Sequence, residues 1–312
     1  MRYDERISRR LKLRDLHTLQ AVAQHRSMAK AASSLAITQS AISKTIAEME
    51  HVLGVPLFDR TSRGVEVTPY GEILLRRGLA IFDEIRQGVR EIGFLADPTS
   101  GEVRIGSTEP MLVIVAAAID ILSRRHPRIT FEVSPSDTTT LLRRMREREV
   151  DLIISRMADA VVEDDLEADV LFHDPLVVVA GNGNPWISRR NVCLGDLLGE
   201  RWIMPPPGTF LRPYIEEAFL ACGLDLPAAT VISASTHLRN NLLARAGFLT
   251  MLPRAMVRLS GWHPIVRALR IELPTTRRPV GVLTLKRRSR SPVAQIFIDC
   301  VRQIAKPLSS ER

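Results

Sequence analysis

Cysteine is scarce in this 312-residue chain: Cys193, Cys222 and Cys300 are the only three, and they lie far apart. No CxxC pair or Cys/His cluster frames a metal site, and the spacing argues against a disulfide scaffold, so buried free thiols are expected. Long apolar runs are missing too. The longest, Met111 to Ile119, has nine residues, against the roughly 20 that a membrane-spanning helix needs. The first residues include Arg2, Asp4, Glu5, Arg6, Arg9 and Arg10 where a secretory signal would have its apolar stretch, so the expected location is the cytoplasm. The seven histidines are dispersed, and neither HExxH nor GxSxG occurs. Gly181-Asn182-Gly183 lacks the third glycine and the following helix of a dinucleotide fingerprint. No catalytic residue, metal ligand or cofactor is therefore assigned, and the chain is not expected to be an enzyme.

What is present is ordinary globular composition, 45% hydrophobic and 25% charged, with a formal net charge of +8. The charge is unevenly spread. Residues 1–65 hold 11 Lys and Arg against 6 Asp and Glu, so more than half of the excess sits in about a fifth of the chain. That distribution suits a polyanionic partner.

The same region has a clear helical pattern. Leu13, Leu16, Leu19 and Val22 or Ala23 recur at three- to four-residue spacing, which marks one face of an amphipathic helix. Ser27 is placed to cap a second helix, Met28 to Ala36, and Thr38 a third that runs to about Leu53 and stops at Gly54 and Pro56. In the third helix Ile42, Ile46, Met49 and Leu53 form one stripe to be buried. Gln39, Ser40, Ser43, Lys44 and Ala47 occupy the opposite side, with no acid before Glu48. A major groove favours such a face: small residues permit close approach, Gln can pair with an adenine edge, and Lys reaches phosphate or guanine.

Residues Leu57 to Val67 read as a two-stranded hairpin turning at Ser62 to Gly64, with Arg60 and Arg63 at its tip to meet phosphates or the minor groove. Thr68-Pro69 then opens a long helix. Along it Phe82, Ile85, Val89, Ile92 and Ala96 alternate spacings of three and four, a coiled-coil-like seam for pairing with a second chain. Asp97-Pro98-Thr99-Ser100-Gly101 ends it as a linker.

The run from Leu16 through Ala31-Ala32-Ser33-Ser34-Leu35-Ala36-Ile37-Thr38-Gln39-Ser40-Ala41-Ile42-Ser43-Lys44 to Leu53-Gly54-Val55-Pro56-Leu57-Phe58-Asp59-Arg60 resembles the LysR-type transcriptional regulators. Thr68-Pro69-Tyr70-Gly71 and Gly101-Glu102-Val103-Arg104-Ile105-Gly106 agree with it. Many family members carry Pro after the Gln of the third helix, where this chain has Ser40. The resemblance implies DNA contacts from Ser27, Thr38, Gln39, Ser40, Ser43, Lys44, Arg60, Ser62 and Arg63. It also implies the partners: double-stranded DNA with an interrupted inverted repeat, a small-molecule effector, a second copy in a homodimer or homotetramer, and RNA polymerase.

Beyond the linker, strand and helix patterns alternate: Val103–Gly106, Glu109–Arg125, Ile129–Val133, Thr139–Glu149 and Asp151–Ser155 imply βαβ units and a largely parallel sheet. A second lobe opens at Leu176–Ala180. It continues through helix Leu211–Cys222, strand Thr230–Ala234, helix His237–Ala246 and strand Phe248–Leu252. Strand Pro279–Leu285 and helix Val293–Ile304 return to the first lobe. The fold class is therefore α/β overall: an N-terminal winged helix-turn-helix, a long linker helix, and a two-lobed α/β domain that resembles the type II periplasmic-binding-protein fold. The divisions are 1–68 for DNA binding, 69–100 for the linker and dimerisation helix, and 101–312 for effector binding. The first lobe spans about 101–172 and 274–312, and the second about 173–273. The resemblance puts effector contacts at Ser107, Thr108, Thr138, Thr139, Thr209 and Phe248. Helix N-termini near these points and few acids fit an organic acid or a sugar derivative. Two other classes are weighed: an exported solute-binding protein, against which the first hundred residues argue, and an enzyme with an appended DNA-binding module, for which no reacting constellation appears.

Overall fold

The computed structural model describes residues 10–61, 64–157, 163–245, 247–259, 265–273 and 275–309, and only the backbone of Arg60. The chain divides into two compact units, Met1–Val89 and Arg90–Arg312.

In the first unit, α1 (Leu13–His25), α2 (Met28–Ser34) and α3 (Gln39–Leu53) close around Leu19, Val22, Ala31, Ile42, Ile46 and Met49, each at most 3% exposed. Each helix boundary has a local cause. The Ser27 hydroxyl accepts from the Lys30 N–H at 3.4 Å, and that of Thr38 accepts from the Ala41 N–H at 3.2 Å. Gly54, at φ +73°, ends α3 in the left-handed conformation that glycine adopts without penalty. A hairpin follows, with β1 (Phe58–Thr61) antiparallel to β2 (Gly64–Val67) and Phe58 opposite Val67. Glu50 in α3 reaches across to it: its Oε1 accepts from the Leu57 and Phe58 N–H groups at 2.7 and 3.3 Å. Thr68 donates to the Pro56 carbonyl at 2.7 Å and accepts from Gly71 N–H at 3.1 Å, which starts α4 (Pro69–Ala96). The helix packs so closely there that position 71 has no room for a side chain.

The second unit is a pair of three-layer α/β lobes. The first holds β3 (Ser100–Ser107), α5 (Leu112–Arg125), β4 (Arg128–Pro135), α6 (Thr138–Arg146), β5 (Leu152–Arg156) and β6 (Leu166–Asp174). The second holds β7 (Leu176–Gly181), β8 (Trp202–Met204), α7 (Arg212–Ala221), β9 (Ala229–Ile232), α8 (Thr236–Ala244), β10 (Leu249–Pro253), α9 (Arg254–Leu259) and β11 (Val266–Ala268). The chain then returns to the first lobe as β12 (Arg278–Leu285) and α10 (Pro292–Ser309). The sheets run β4-β3-β5-β12-β6 and β11-β7-β10-β8-β9. Strands β3, β4 and β5 are parallel as the pattern implies, but β12 is antiparallel to both neighbours, so the sheet is mixed.

Alternation explains the layers. Leu152 and Ile154 point into a core with Ile114, Val115 and Phe297 of α5 and α10, while Ile153 faces Leu141 and Met145 of α6. All three strand residues are fully buried, as expected for a strand covered on both faces. In the second lobe Val178, Trp202 and Phe219 share one core, and Val179, Ile203 and Leu243 the other. Strand β6 goes beyond the sequence expectation. Its sequence Leu-Glu-Ala-Asp-Val-Leu-Phe-His-Asp has no clean period, and its register comes from β12, with a bulge at Val280/Gly281. It ends at Asp174. The thiols also differ from expectation: Cys300 is buried, but Cys193 and Cys222 are exposed. Both exposed cysteines flank short helical ends, where the chain meets solvent.

One carboxylate gathers the start of this unit. Asp151, 8% exposed, accepts from the Arg104 N–H at 2.9 Å and from three guanidinium groups. These are Arg104 at 2.7 Å, Arg288 at 2.8 Å and Arg90, in the last turns of α4, at 3.4 Å. Burial works to raise its pKa, but hydrogen bonds from Arg104 and the charges of Arg104 and Arg288 outweigh it and hold the carboxyl below its ordinary 3.8.

Two outcomes are expected from these contacts. A methyl at Gly71 would stand 2.3 Å from the Leu57 carbonyl oxygen, a backbone atom, and 2.8 Å from a Val67 methyl. Gly71→Ala should therefore destabilise the first unit by about 1–3 kcal/mol, seen as a lower midpoint in thermal unfolding followed by circular dichroism. Asp151→Asn should lower second-unit stability at pH 7 by about 3–5 kcal/mol, because it leaves clustered guanidinium groups without their counter-charge. In the parent protein the Asp151 contribution is present above pH 3.8 and disappears as pH falls through its depressed value, and urea titrations across pH would show it.

Candidate DNA interface and inter-lobe site

On α3 the two faces are as unlike as the sequence implies. Ile42 is fully buried and Ile46 and Met49 are 3% exposed, whereas Gln39, Ser40, Lys44 and Ala47 are exposed and Ser43 is half-buried. The Ser40 hydroxyl is 3.0 Å from that of Thr38, and Lys44 is tied only loosely to Glu48, at 3.9 Å and with both side chains largely in solvent. Such a pair contributes little. Ser27 and Thr38 spend their oxygens on the helix caps described above. Because Glu50 grips the hairpin, α3 and β1 form one body. The wing positions Ser62 and Arg63, and the Arg60 side chain, lie outside the described residues.

The long helix splits the expected seam. Phe82 turns inward, half-buried against the first unit's core and 6.1 Å edge-on from His17. Ile85, Val89 and Ile92 are 46%, 65% and 69% exposed, and Ile81 and Leu95 extend the same apolar stripe. Asp83 and Gln87, on the same helix, are buried.

In the second unit, parallel pairing brings the ends of β3 and β5 together beside the start of α6. Ser107, fully buried, donates to the Ile154 carbonyl at 3.2 Å, or to that of Thr108 at 3.1 Å. Thr108 is 7% exposed and leads into a single 3-10 turn, Glu109–Met111. The Thr138 hydroxyl is 3.2 Å from that of Ser155, a residue that the sequence pattern does not single out. The Thr138–Ser155 pair and the Ser107 hydroxyl thus lie at the neighbouring ends of β5 and β3. Thr139 is exposed, and capping of α6 falls to Asp137, whose carboxylate accepts from Thr140 N–H at 2.9 Å. In the second lobe Thr209 donates to the Pro206 carbonyl at 2.7 Å and closes its own turn, three residues before α7. Phe248 is half-buried beside the β7/β10 core, and the Arg201 guanidinium lies 4.9 Å from its ring centre.

The lobes are joined at Pro175 and again just before Arg278, and a buried network spans both crossings. Arg156, at the end of β5, stands 3.4 Å from Asp174 and donates to the Thr276 carbonyl at 3.0 Å. Thr276 Oγ1 accepts from Leu176 N–H at 3.2 Å, and Asp174 accepts from Ala255 N–H at 3.1 Å. Arg156, Asp174 and Thr276 are at most 2% exposed. Burial outweighs attraction here: it pushes the Asp174 carboxyl up to about 6 and pulls the Arg156 guanidinium down. The traces of this network in the sequence are an arginine closing an otherwise apolar strand and an aspartate just before Pro175.

The sign of the linkage is opposite to that of Asp151. The unfolded chain releases the Asp174 proton near pH 3.8 and the folded chain near 6, so the folded state holds more protons in between. This residue's contribution to stability should therefore fall as pH rises from about 4 to 6 and then level off. Urea midpoints measured across that interval should lose this slope in Asp174→Asn, whose side chain stays neutral at every pH.

Comparison with known proteins agrees with both halves of this geometry. The bacterial regulatory helix-turn-helix protein model of the lysR family matches residues 13–72, and the LysR substrate binding domain model matches residues 96–306. The HTH-type transcriptional regulator GbpR of Azospirillum brasilense is 30% identical over 295 residues, covering 94% of this chain and 86% of its own. Two solved structures share the fold. A full-length OxyR variant from Pseudomonas aeruginosa has a TM-score of 0.66 at 20% identity, covering 94% of this chain and 95% of its own. Full-length CbnR in complex with its target DNA has a TM-score of 0.53 at 19% identity, covering 95% of this chain and 100% of its own. The described part of the chain contains no helix long and apolar enough to cross a membrane. The chain thus belongs to the LysR family of bacterial helix-turn-helix transcriptional regulators, with a DNA-binding domain followed by a substrate-binding domain.

Proposed function

We propose that α3 enters a major groove with Gln39, Ser40 and Ser43 toward base edges and Lys44 toward the phosphate backbone, while Arg60, Ser62 and Arg63 of the wing meet the backbone or minor groove. One observation carries this reading: the first turns of α3 turn hydrogen-bonding and small side chains outward without an acid, opposite the buried stripe of Ile42, Ile46 and Met49. The target is double-stranded DNA with an interrupted inverted repeat, because a two-fold protein pair is matched by dyad DNA. CbnR, a structural neighbour, has been crystallised with its target DNA, which supports the same use of the fold. Residues 1–68 form the DNA-binding part, 69–100 the linker and pairing helix, and 101–312 the effector part. Ile85, Val89 and Ile92 pair two copies in a homodimer, or a homotetramer built from such dimers. A small molecule, an organic acid or sugar derivative, binds at Ser107, Thr108 and Thr138 and shifts the populations of lobe arrangements, and so DNA binding and contact with RNA polymerase. The chemistry is binding without turnover, and the site of action is the cytoplasm.

The protected DNA should first be located by genome-wide footprinting. On that site Gln39→Ala should then lose about 1–3 kcal/mol of specific binding if Gln39 reads a base through two hydrogen bonds, with little change on random DNA. Equal losses on both would remove Gln39 from base reading. Val89→Asp together with Ile92→Asp should convert the dimer to monomers in analytical ultracentrifugation, since burying two carboxylates in an apolar seam costs several kcal/mol.

A further inference from the structure

A cavity of about 730 Å³ opens at the edge of the second lobe, where β11 is the outermost strand of its sheet. Every described residue that lines it belongs to that lobe, and none is among Ser107, Thr108, Thr138 and Thr209. Four of the lining side chains are arginines. Arg254 and Arg258 lie one turn apart on α9, and so on one face of it. Arg267 and Arg270 come from β11 and the segment that follows it. Glu272 is the one acid among the described lining residues, so the cavity carries an excess of three positive charges. Arg254, Arg267 and Arg270 form no ion pair among the described residues. Both walls are held in place. The Arg254 N–H donates to the Pro175 carbonyl at 2.9 Å, where α9 begins. Opposite, Arg267 stands in register with Ala180 of β7, and the Leu269 N–H donates to the Val178 carbonyl at 2.8 Å. Val177, Val257 and Leu269, each at most 5% exposed, add an apolar part to the lining.

Like charges gathered in one concave site repel each other, and low-dielectric walls focus their field on the opening. A guanidinium fork holds two phosphate oxygens at once, which an ammonium group does not do. A phosphate monoester brings about 1.5 to 2 negative charges at neutral pH. One phosphate or one carboxylate therefore leaves this lining positive, whereas two linked phosphates bring roughly three charges and balance it. We infer that the cavity is a ligand site separate from the Ser107 and Thr138 region, and that it binds a small molecule through a diphosphate group, either inorganic or esterified to a nucleoside. The volume lies within the range of small-molecule sites, about 300–1,000 Å³, and the apolar part of the lining offers a surface for a base or sugar beyond the phosphates.

The test is calorimetric titration of the full-length protein with pyrophosphate, ADP and GDP, and with phosphate, AMP and citrate as comparators. At least one diphosphate should bind saturably, at least about tenfold tighter than its monophosphate and than citrate, whose charge is similar but carried on carboxylates. Arg267→Gln combined with Arg270→Gln should weaken that ligand at least about tenfold, the loss expected for charge-assisted hydrogen bonds. Glu272→Gln should tighten it, and Thr138→Val should leave it unchanged. Arg267 and Arg270 are exposed, so the double variant should keep its circular dichroism spectrum. Tighter binding of ADP or GDP than of pyrophosphate makes the ligand a nucleotide, and equal affinity makes it the diphosphate alone; both uphold the site. Citrate bound as tightly as the diphosphates overturns the assignment, and so does the absence of saturable diphosphate binding. Binding that survives the double change, or that is lost instead in Thr138→Val or in Lys44→Gln of the first unit, places the ligand elsewhere and overturns the site. Weaker binding of random duplex DNA by the double variant, without any diphosphate binding, makes these arginines a DNA contact and overturns it as well. If the double variant loses its fold, Glu272→Gln decides, and unchanged diphosphate affinity in that protein overturns the site.

Discussion

Asp151 is the point on which the second unit closes. Its carboxylate collects guanidinium groups from the last turns of α4, from β3 and from the turn before α10, segments as far apart as residues 90 and 288. Each of those arginines is itself substantially removed from water, and each would be expensive there without an anion. Phe94, in the same final turns of α4, packs against the first lobe's core. The end of α4 is thereby built into the second compact unit, which begins at Arg90. A change in how that lobe is held has a covalent and an electrostatic route into α4.

The lobe junction is made differently. At Asp151 three cations meet one anion, and attraction exceeds the cost of burial. At Asp174 one cation meets one anion in a drier place, and burial exceeds attraction. The Arg156 Nε has no partner among the described residues, and Thr276 is shared between the outgoing and returning crossings. Among the described residues, Arg156 Nε is one of several sealed polar atoms without a partner, and it lies where the lobes are joined. A regulator that answers to a small molecule needs its low-stability region there and not inside a core.

The N-terminal half of this design is legible in the sequence because its causes are local. Ser27, Thr38 and Thr68 are caps whose partners lie three residues on, and Gly54 is a helix stop that depends only on its own φ. The stripe Ile42, Ile46 and Met49 is a property of one helix. What escapes the sequence depends on distant pairing. Strand β6 has no usable period and is specified by β12, more than a hundred residues later. Phe82 fits a coiled-coil spacing yet turns to the core, since spacing cannot tell two adjacent stripes of one helix apart. Thr209 has the setting of a free helix start, and its hydroxyl is spent on its own turn. The exposure of Cys193 and Cys222 likewise follows from where short helices end, which cysteine counting does not reveal.

The return of the chain to its first lobe has a consequence for biosynthesis. Strand β12 fills the place between β5 and β6, and α10 covers one face of that sheet. A ribosome delivers these pieces last, after all of the second lobe has emerged. The second lobe is one continuous stretch, from β7 to β11, and can close as soon as it is made. The first lobe must wait with the apolar edges of β5 and β6 unpaired, a template for misassociation between nascent chains. A message truncated anywhere between the end of β11 and codon 278 would therefore yield a protein with a complete reading head, a complete second lobe and a first lobe that never closes.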